Sequence, residues 1–303
     1  MSTATTTAPV PAGQVPVTER SERRRPRSTG KRLAFHLMML VLTAVVLYPG
    51  LWMLMSSFKP SNDIVGNVSL IPADGTGQNY LTALQGIGGV SFWTFVQNSV
   101  VLAVLTVVGV LVSSSVTAYA FARLDFPGRN IWFALMIGTL LLPFHVVIIP
   151  QYIVFNELGL VNTFVPLVIG KYLATDAFFV FLMVQFMRNL PRELDEAARI
   201  DGAGHVRIFI SIMLPLMKPA LVTASIFSFI WSWNDFFGPL LYLKNPELAT
   251  LPIALRLFVD QTSVSDYGAQ MAMAVLALVP VLLFFILFQR HIVEGVATQG
   301  LKG

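Results

Sequence analysis

The sequence predicts an all-α integral membrane protein of six transmembrane helices, and three observations carry that prediction. Composition is the first. Of 303 residues, 55% are hydrophobic and only 12% charged, with a mean hydropathy of +0.71, whereas globular chains carry about a quarter charged residues. The second is a set of apolar runs longer than the ~18 residues that mark a bilayer span. The third is the placing of basic residues, which gather on alternate connections between those runs, as the positive-inside rule requires.

Residues 1–32 open with a Thr/Ala/Pro/Val tract and turn basic at Arg20, Arg23, Arg24, Arg25, Arg27, Lys31 and Arg32. Without apolar periodicity this segment reads as a disordered, topogenic tail. It carries neither a twin-arginine pattern nor the short apolar core of a cleaved secretory signal. The transmembrane domain then occupies 33–290. Its first span covers about 33–58, ending in the aromatic and bend residues Tyr48, Pro49, Gly50 and Trp52. A Gly/Asn/Asp/Pro-rich loop follows to about 91, and the second span runs from about 92 to 122. Pro127 and Gly128 close a tight turn into a third span, about 130–155, where Pro143 and Pro150 should kink the helix.

The fourth span covers about 164–187 and holds Lys171 and Asp176. Those two lie about 140° apart on a continuous helix, so Lys171 is expected to snorkel outward and Asp176 to find a partner in the bundle. A charged loop, 188–215, precedes the fifth span at about 216–243, in which Gly238 and Pro239 should break the helix. An outer segment with Arg256 and Asp260 leads to the sixth span, about 271–288, and a tail over 291–303. Sixteen of the twenty basic residues fall in the two tails, the 123–129 turn and the charged loop, with Lys218 and Arg290 counted at their edges. Both termini are therefore assigned to the cytoplasmic side of a bacterial cell membrane.

Several function classes drop out. The net charge of +4 sits beside apolar spans, which explains it without nucleic acid. There is no cysteine, hence no thiolate nucleophile or Cys-ligated metal. The four histidines (His36, His145, His205, His291) show no ligand spacing, so no metal is expected. A G-x-x-x-x-G-K-[ST] phosphate loop is missing, as is any paired-carboxylate or Ser/His/Asp arrangement. No catalytic residues are assigned.

The informative stretch is the charged loop. From Arg188 to Pro219 it carries five basic and four acidic residues, too many for lipid, so it must face something in water. Pro191 suits the first turn of a helix, and Glu193, Asp195 and Glu196 crowd its positive end. Asp195 and Arg199 can pair at i, i+4. Leu194, Ala197 and Ala198 form a narrow face, Gly202 supplies a stop, and a second helical piece over about 205–213 leads to Leu214 and Pro215. A low alanine face with the carboxylate of Glu196 beside it suits a groove in a partner protein.

Glu196, Ala197 and Ala198, then Gly202, Ile212, Leu214 and Pro215 occupy every position of the EAA signature. By that spacing the chain resembles the membrane subunits of binding-protein-dependent ABC importers. Further stretches are similar to the carbohydrate, maltose-type branch: Trp52 with Ser56 to Lys59, Ala118 to Arg123, Phe126 to Gly128, Ala197 to Gly204, Trp233 to Asp235, and Leu301 to Gly303. The short first outer loop is similar to that of the smaller of the two permease partners. The resemblance implies a MetI-like permease fold in which Glu196, Ala197, Ala198, Asp201, Gly202, Ile212, Leu214 and Pro215 couple to an ATPase. It also implies the partners: a second homologous permease, two cytoplasmic ATPase subunits that hold ATP and Mg, an extracytoplasmic solute-binding protein and a sugar. This chain itself would bind no cofactor.

Trp231, Asn234 and Asp235, near the outer end of the fifth span, are candidates for the translocation path, because an intramembrane carboxylate is functional by default and tryptophan can stack on a sugar ring. The structural alternative is an interfacial Asx turn with an aromatic belt. Ser113, Ser114, Ser115 and Thr117 fit helix packing better than a hydrophilic path, and His145 fits a packed residue at a helix kink better than a proton relay. Two other functions remain: a secondary carrier driven by an ion gradient through Asp176 and Asp235, and an ABC permease for a non-sugar solute.

Overall fold

The structure, a computed structural model, describes residues 29–66, 68–72, 74–260 and 266–300. The basic tail expected over 1–32 lies almost wholly outside the described residues, as do 301–303 at the C-terminus. Two units divide at Pro49 and Gly50. The first holds most of helix α1 (Thr29–Ser56), and nearly all of its described side chains are exposed. An apolar helix of that kind needs lipid or a partner to cover it.

The second unit continues through α2 (Gln78–Gln85), α3 (Phe92–Arg123), α4 (Arg129–Thr139), α5 (Phe144–Glu157), α6 (Val165–Tyr172) and α7 (Ala177–Arg188). The charged loop contributes α8 (Glu193–Ile200) and α9 (His205–Ile208), a π-turn over Phe209–Met213 and the short α10 (Leu214–Leu216). Then come α11 (Lys218–Trp233), α12 (Phe237–Tyr242), α13 (Leu251–Asp260) and α14 (Tyr267–Gly300). Every regular element among the described residues is helical; extended pairing is confined to one isolated bridge between Ile87 and Val90.

Among the described residues four helices can cross a bilayer by length and composition: Arg32–Ser56, Phe92–Arg123, Val165–Arg188 (α6 and α7 taken together) and Tyr267–Phe288. Two bent pairs raise the number to six if each counts as one span. The first joins α4 to α5 at 97°, with the break at Pro143, which lacks an N–H and forces the preceding residue out of the helical region. Pro150, where a kink was also expected, lies inside α5 and does not end it. The second pair, His205–Leu216 and Lys218–Trp233, bends by 74°.

The fourth span differs from the continuous helix expected. It is interrupted between Tyr172 and Ala177, with Ala174 in the left-handed region at φ 55°. That interruption brings Lys171 back onto Asp176, Nζ to Oδ2 2.9 Å. The expectation that Lys171 snorkels away is therefore corrected: an angular argument for an unbroken helix does not apply across a break. In the fifth span the break falls at Asn234–Phe236, and Gly238 and Pro239 lie inside α12 as buried residues. Pro239 is the third residue of α12, where no intrahelical donor is required, so it is compatible with starting a helix.

Helix α3 is the axis of the second unit and packs on α6, α7, α11 and α13. Its small residues permit this. At Gly109 an added Cβ would come within 2.8 Å of the Tyr172 ring and 3.1 Å of Lys171 Cβ, so α6 approaches there as only glycine allows. The serines beside it serve the same packing. Ser113 Oγ donates to the Lys171 carbonyl at 2.5 Å, Ser115 Oγ to Val112 at 3.1 Å, and Ser114 is fully buried. One core joins Val110, Ala118 and Ala122 of α3 to Val180, Met183 and Met187 of α7 and to Ala198, Ile208 and Met213 of the charged loop. A second, at the start of α3, joins Phe92 and Phe95 to Trp233, Leu251, Ala254 and Met273. The segment after α1 is tied down beside the second core. The buried amide of Asn79 donates to the Ser57 and Lys59 carbonyls at 2.8 and 2.7 Å, Lys59 Nζ reaches the Ser69 carbonyl, and Ser61 Oγ donates to Asp266 at 2.6 Å.

Candidate functional site

Helix α8 starts from Arg192, whose carbonyl accepts from the Asp195 and Glu196 amides at 2.9 and 3.2 Å. Pro191 thus stands just before the helix rather than in its first turn. Glu193, Asp195 and Glu196 occupy that turn, next to the positive end of the backbone dipole. At the other end Gly202 adopts φ +80°, its N–H bonds to the Arg199 carbonyl at 3.0 Å, and the Ala203 N–H reaches Ala198 at 2.9 Å. This pair of bonds is a Schellman cap, which requires a left-handed residue and so favours glycine.

The helix has two unlike faces. Asp195 and Ala198 point inward and are buried, whereas Glu196, Ala197, Asp201 and Gly202 are exposed. The face expected from Leu194, Ala197 and Ala198 is therefore split, with Ala198 turned into the core. Ile200, 88% exposed, and Val206 and Ile210 in the turns that follow are exposed as well. Ile212 packs on the core of the second unit and Leu214 is half-buried, while Pro215 is exposed in α10. Of the eight residues expected to couple, then, Glu196, Ala197, Asp201 and Gly202 form an outward surface, Ala198, Ile212 and Leu214 pack behind it, and Pro215 is exposed farther on.

The anchor also contains a group that the sequence did not reveal. Arg123, the last residue of α3, is buried. Its Nη1 meets Asp195 Oδ2 at 3.2 Å, with side-chain exposures of only 3% and 9%, and its Nη2 donates to the Met187 and Leu190 carbonyls, each at 2.9 Å. One guanidinium thus ties together the ends of α3, α7 and α8. Arginine suits this role because its rigid fork of donors can serve a carboxylate and carbonyls at once. The pairing of Asp195 with Arg199 expected from their spacing is replaced by this one. Asp195 faces the core, where Arg123 is the available cation, and Arg199 stays on the exposed side. Beside the latch lies a cleft of about 420 Å³ bordered by Arg192, Glu196, Arg199 and His205.

A second polar place lies among the spans. A cavity of about 240 Å³ is lined by Thr106 of α3, Lys171, Asp176, Phe179, Ser228, Trp231, Ser232 and Asp235, with Leu102, Phe144 and Leu167 completing it. Trp231 is half exposed and held by ring contacts with Phe178, Phe179 and Phe227, centroids 5.1–6.1 Å away. Asp235 accepts from the Gly238 N–H at 3.1 Å, an i, i+3 bond that caps the start of α12 much as the structural alternative expects. The same carboxylate also lines the cavity. Asn234 turns away and donates to the Ile230 carbonyl at 2.8 Å. Trp233 belongs to the second core, and His145 sits edge-on to Phe237, centroids 5.2 Å apart. Lys171, Asp176, Thr106, Ser228 and Ser232 were missed as cavity residues. Opposite charges inside one apolar span were the available signal, since such groups pair or line cavities. Among the described residues no cluster of His, Cys, Asp or Glu could hold a metal ion.

Comparison with known proteins agrees with this architecture. Residues 109–298 match the family model described as "Binding-protein-dependent transport system inner membrane component". The chain is similar to the arabinooligosaccharides transport system permease protein AraQ of Halalkalibacterium halodurans, with 36% identity over 86% of this chain and 92% of that one. It is likewise similar to the sn-glycerol-3-phosphate transport system permease protein UgpE of Agrobacterium fabrum, with 35% identity over 87% and 95%. A solved bacterial ABC transporter involved in import of the acidic polysaccharide alginate has the same fold, with TM-score 0.75 and 24% identity over 87% of this chain and 98% of that one. The protein is thus a membrane-embedded, all-helical permease with that fold. It belongs to the family of binding-protein-dependent transport system inner membrane components.

Proposed function

We propose that this chain is one of two permease subunits of an ATP-driven importer for sugars in a bacterial cell membrane, with both termini in the cytoplasm. It forms the solute path with a second, homologous permease, receives solute from an extracytoplasmic binding protein, and is moved by two ATPase subunits that bind ATP and Mg. The observation that carries this reading is the two-faced α8. Its outer face offers Glu196, Ala197 and Gly202 to a partner, while its inner face is fastened through Asp195 and Arg123 to the ends of α3 and α7. A force on α8 therefore reaches the spans as a rigid-body displacement instead of being absorbed by a slack loop. Relatives named for oligosaccharide transport support a sugar as the solute.

One relative, a permease protein of an sn-glycerol-3-phosphate transport system, favours a second reading, a permease of the same machinery for a polyol phosphate. The half-buried charges at Lys171, Asp176 and Asp235 are what an ion-gradient carrier would use. Proteoliposomes separate the carrier from both ATP-driven readings, and the solute that is taken up separates those two. Uptake by the assembled complex is expected to need ATP and binding protein and to be indifferent to a proton or sodium gradient. Gradient-driven uptake by this chain alone would establish the carrier instead.

A further inference from the structure

The cavity between α3, α6, α7 and α11 has an unequal charge inventory. It contains one ammonium, Lys171, and two carboxylates, Asp176 and Asp235. Lys171 is already engaged by Asp176, Nζ to Oδ1 and Oδ2 at 3.1 and 2.9 Å. Asp235 is left as the surplus charge, turned toward the cavity with the Gly238 N–H on one oxygen. The other walls are hydroxyls (Thr106, Ser228, Ser232) and aromatic faces (Trp231, Phe179). An incoming anion would have to share the Lys171 ammonium with Asp176, which would bring two carboxylates and the anion together in a space of about 240 Å³ around a single positive charge. A neutral, hydroxyl-bearing solute meets donors and acceptors and no such conflict.

We propose that this cavity is the charge filter of the solute path, admitting neutral or cationic hydroxylated solutes and rejecting phosphorylated or carboxylated ones, with Asp235 as the residue that sets the sign. The proposal rests on the permease reading and deepens it by naming the solute class. It separates this chain from a relative named for an anionic glycerol phosphate and from a fold neighbour involved in import of an acidic polysaccharide.

The test uses the absence of cysteine in the chain. Ser232→Cys places one thiol on the cavity wall of the assembled, nucleotide-free complex in proteoliposomes, and the complex with Ser232 intact gives the background. Its modification rate is measured with a cationic trimethylammonioethyl and an anionic sulfonatoethyl methanethiosulfonate, each relative to a free thiol in solution. A cleft with a surplus of one sign of charge focuses the field and raises the encounter rate of the opposite sign, by about tenfold or more where the walls exclude water. The cationic reagent is therefore expected to be favoured about tenfold over its free-thiol ratio, and less at high salt. Asp235→Asn should return the ratio to the free-thiol value, and Lys171→Met should enlarge it. A ratio at or below the free-thiol value, or no reaction with either reagent, overturns the proposal. Because no ATP is present, that result leaves the ATP-driven reading to its own liposome experiment.

Discussion

Glu196→Lys is expected to abolish uptake while leaving the subunit in the membrane. Glu196 is exposed on α8 and makes no described contact that holds the fold, so its replacement costs the isolated subunit little; exposed substitutions fall within ~0.5 kcal/mol. Docking is another matter. A reversed charge buried at an interface costs about 2–5 kcal/mol, at least about thirtyfold in affinity. Gly202→Asp should act alike. Its Cβ would meet open space, and a non-glycine residue at φ +80° costs about 1–2 kcal/mol, well below the roughly 5–15 kcal/mol that holds a typical domain together. Solute uptake in cells, measured beside the amount of subunit in the membrane fraction, checks both. Normal uptake at normal abundance in either variant would remove α8 from the coupling role.

The second large effect is expected at Arg123. Arg123→Ala strands Asp195 in a buried site and releases two carbonyls at the end of α7 and just beyond it. Breaking a buried pair from one side costs about 3–5 kcal/mol, so the thermal midpoint of the purified complex should fall by many degrees. Arg123→Lys should recover little, because a single ammonium cannot reproduce the fork. The double change Arg123→Met with Asp195→Leu should recover most of the midpoint, since an apolar pair of similar volume removes the stranded charge. If Arg123→Ala melted like the parent, the latch between α3, α7 and α8 would have no energetic weight.

Much of the architecture was legible because bilayer spans write themselves as length and hydropathy. The second helix was expected over 92–122 and is Phe92–Arg123. The stop at Gly202 was legible too, because the cap needs a backbone conformation that favours glycine. What escaped was long-range or conformational. Nothing local marks Ala174 as left-handed, since neither proline nor glycine stands there, and so the Lys171–Asp176 pair was hidden by an assumed straight helix. The break at Asn234 was displaced toward Gly238 because a proline was read as a stop when it stands at a start. Arg123 looked like a topogenic charge. Its true partner lies on a different helix, while Arg199 offered a plausible neighbour at i, i+4. Burial decided that competition, and burial is not written in spacing.

The coupling role of α8 requires its outer face to meet an ATPase in the cytoplasm. Ala197→Cys gives a direct test, because Ala197 is exposed, Ala198 beside it is buried, and the chain has no other thiol. In intact cells the variant should resist a membrane-impermeant thiol reagent. In inverted vesicles it should react, and in the assembled complex it should cross-link to the nucleotide-binding subunit. Labelling of the introduced thiol from outside intact cells, or a functional complex in which that position is never near the ATPase, would contradict it.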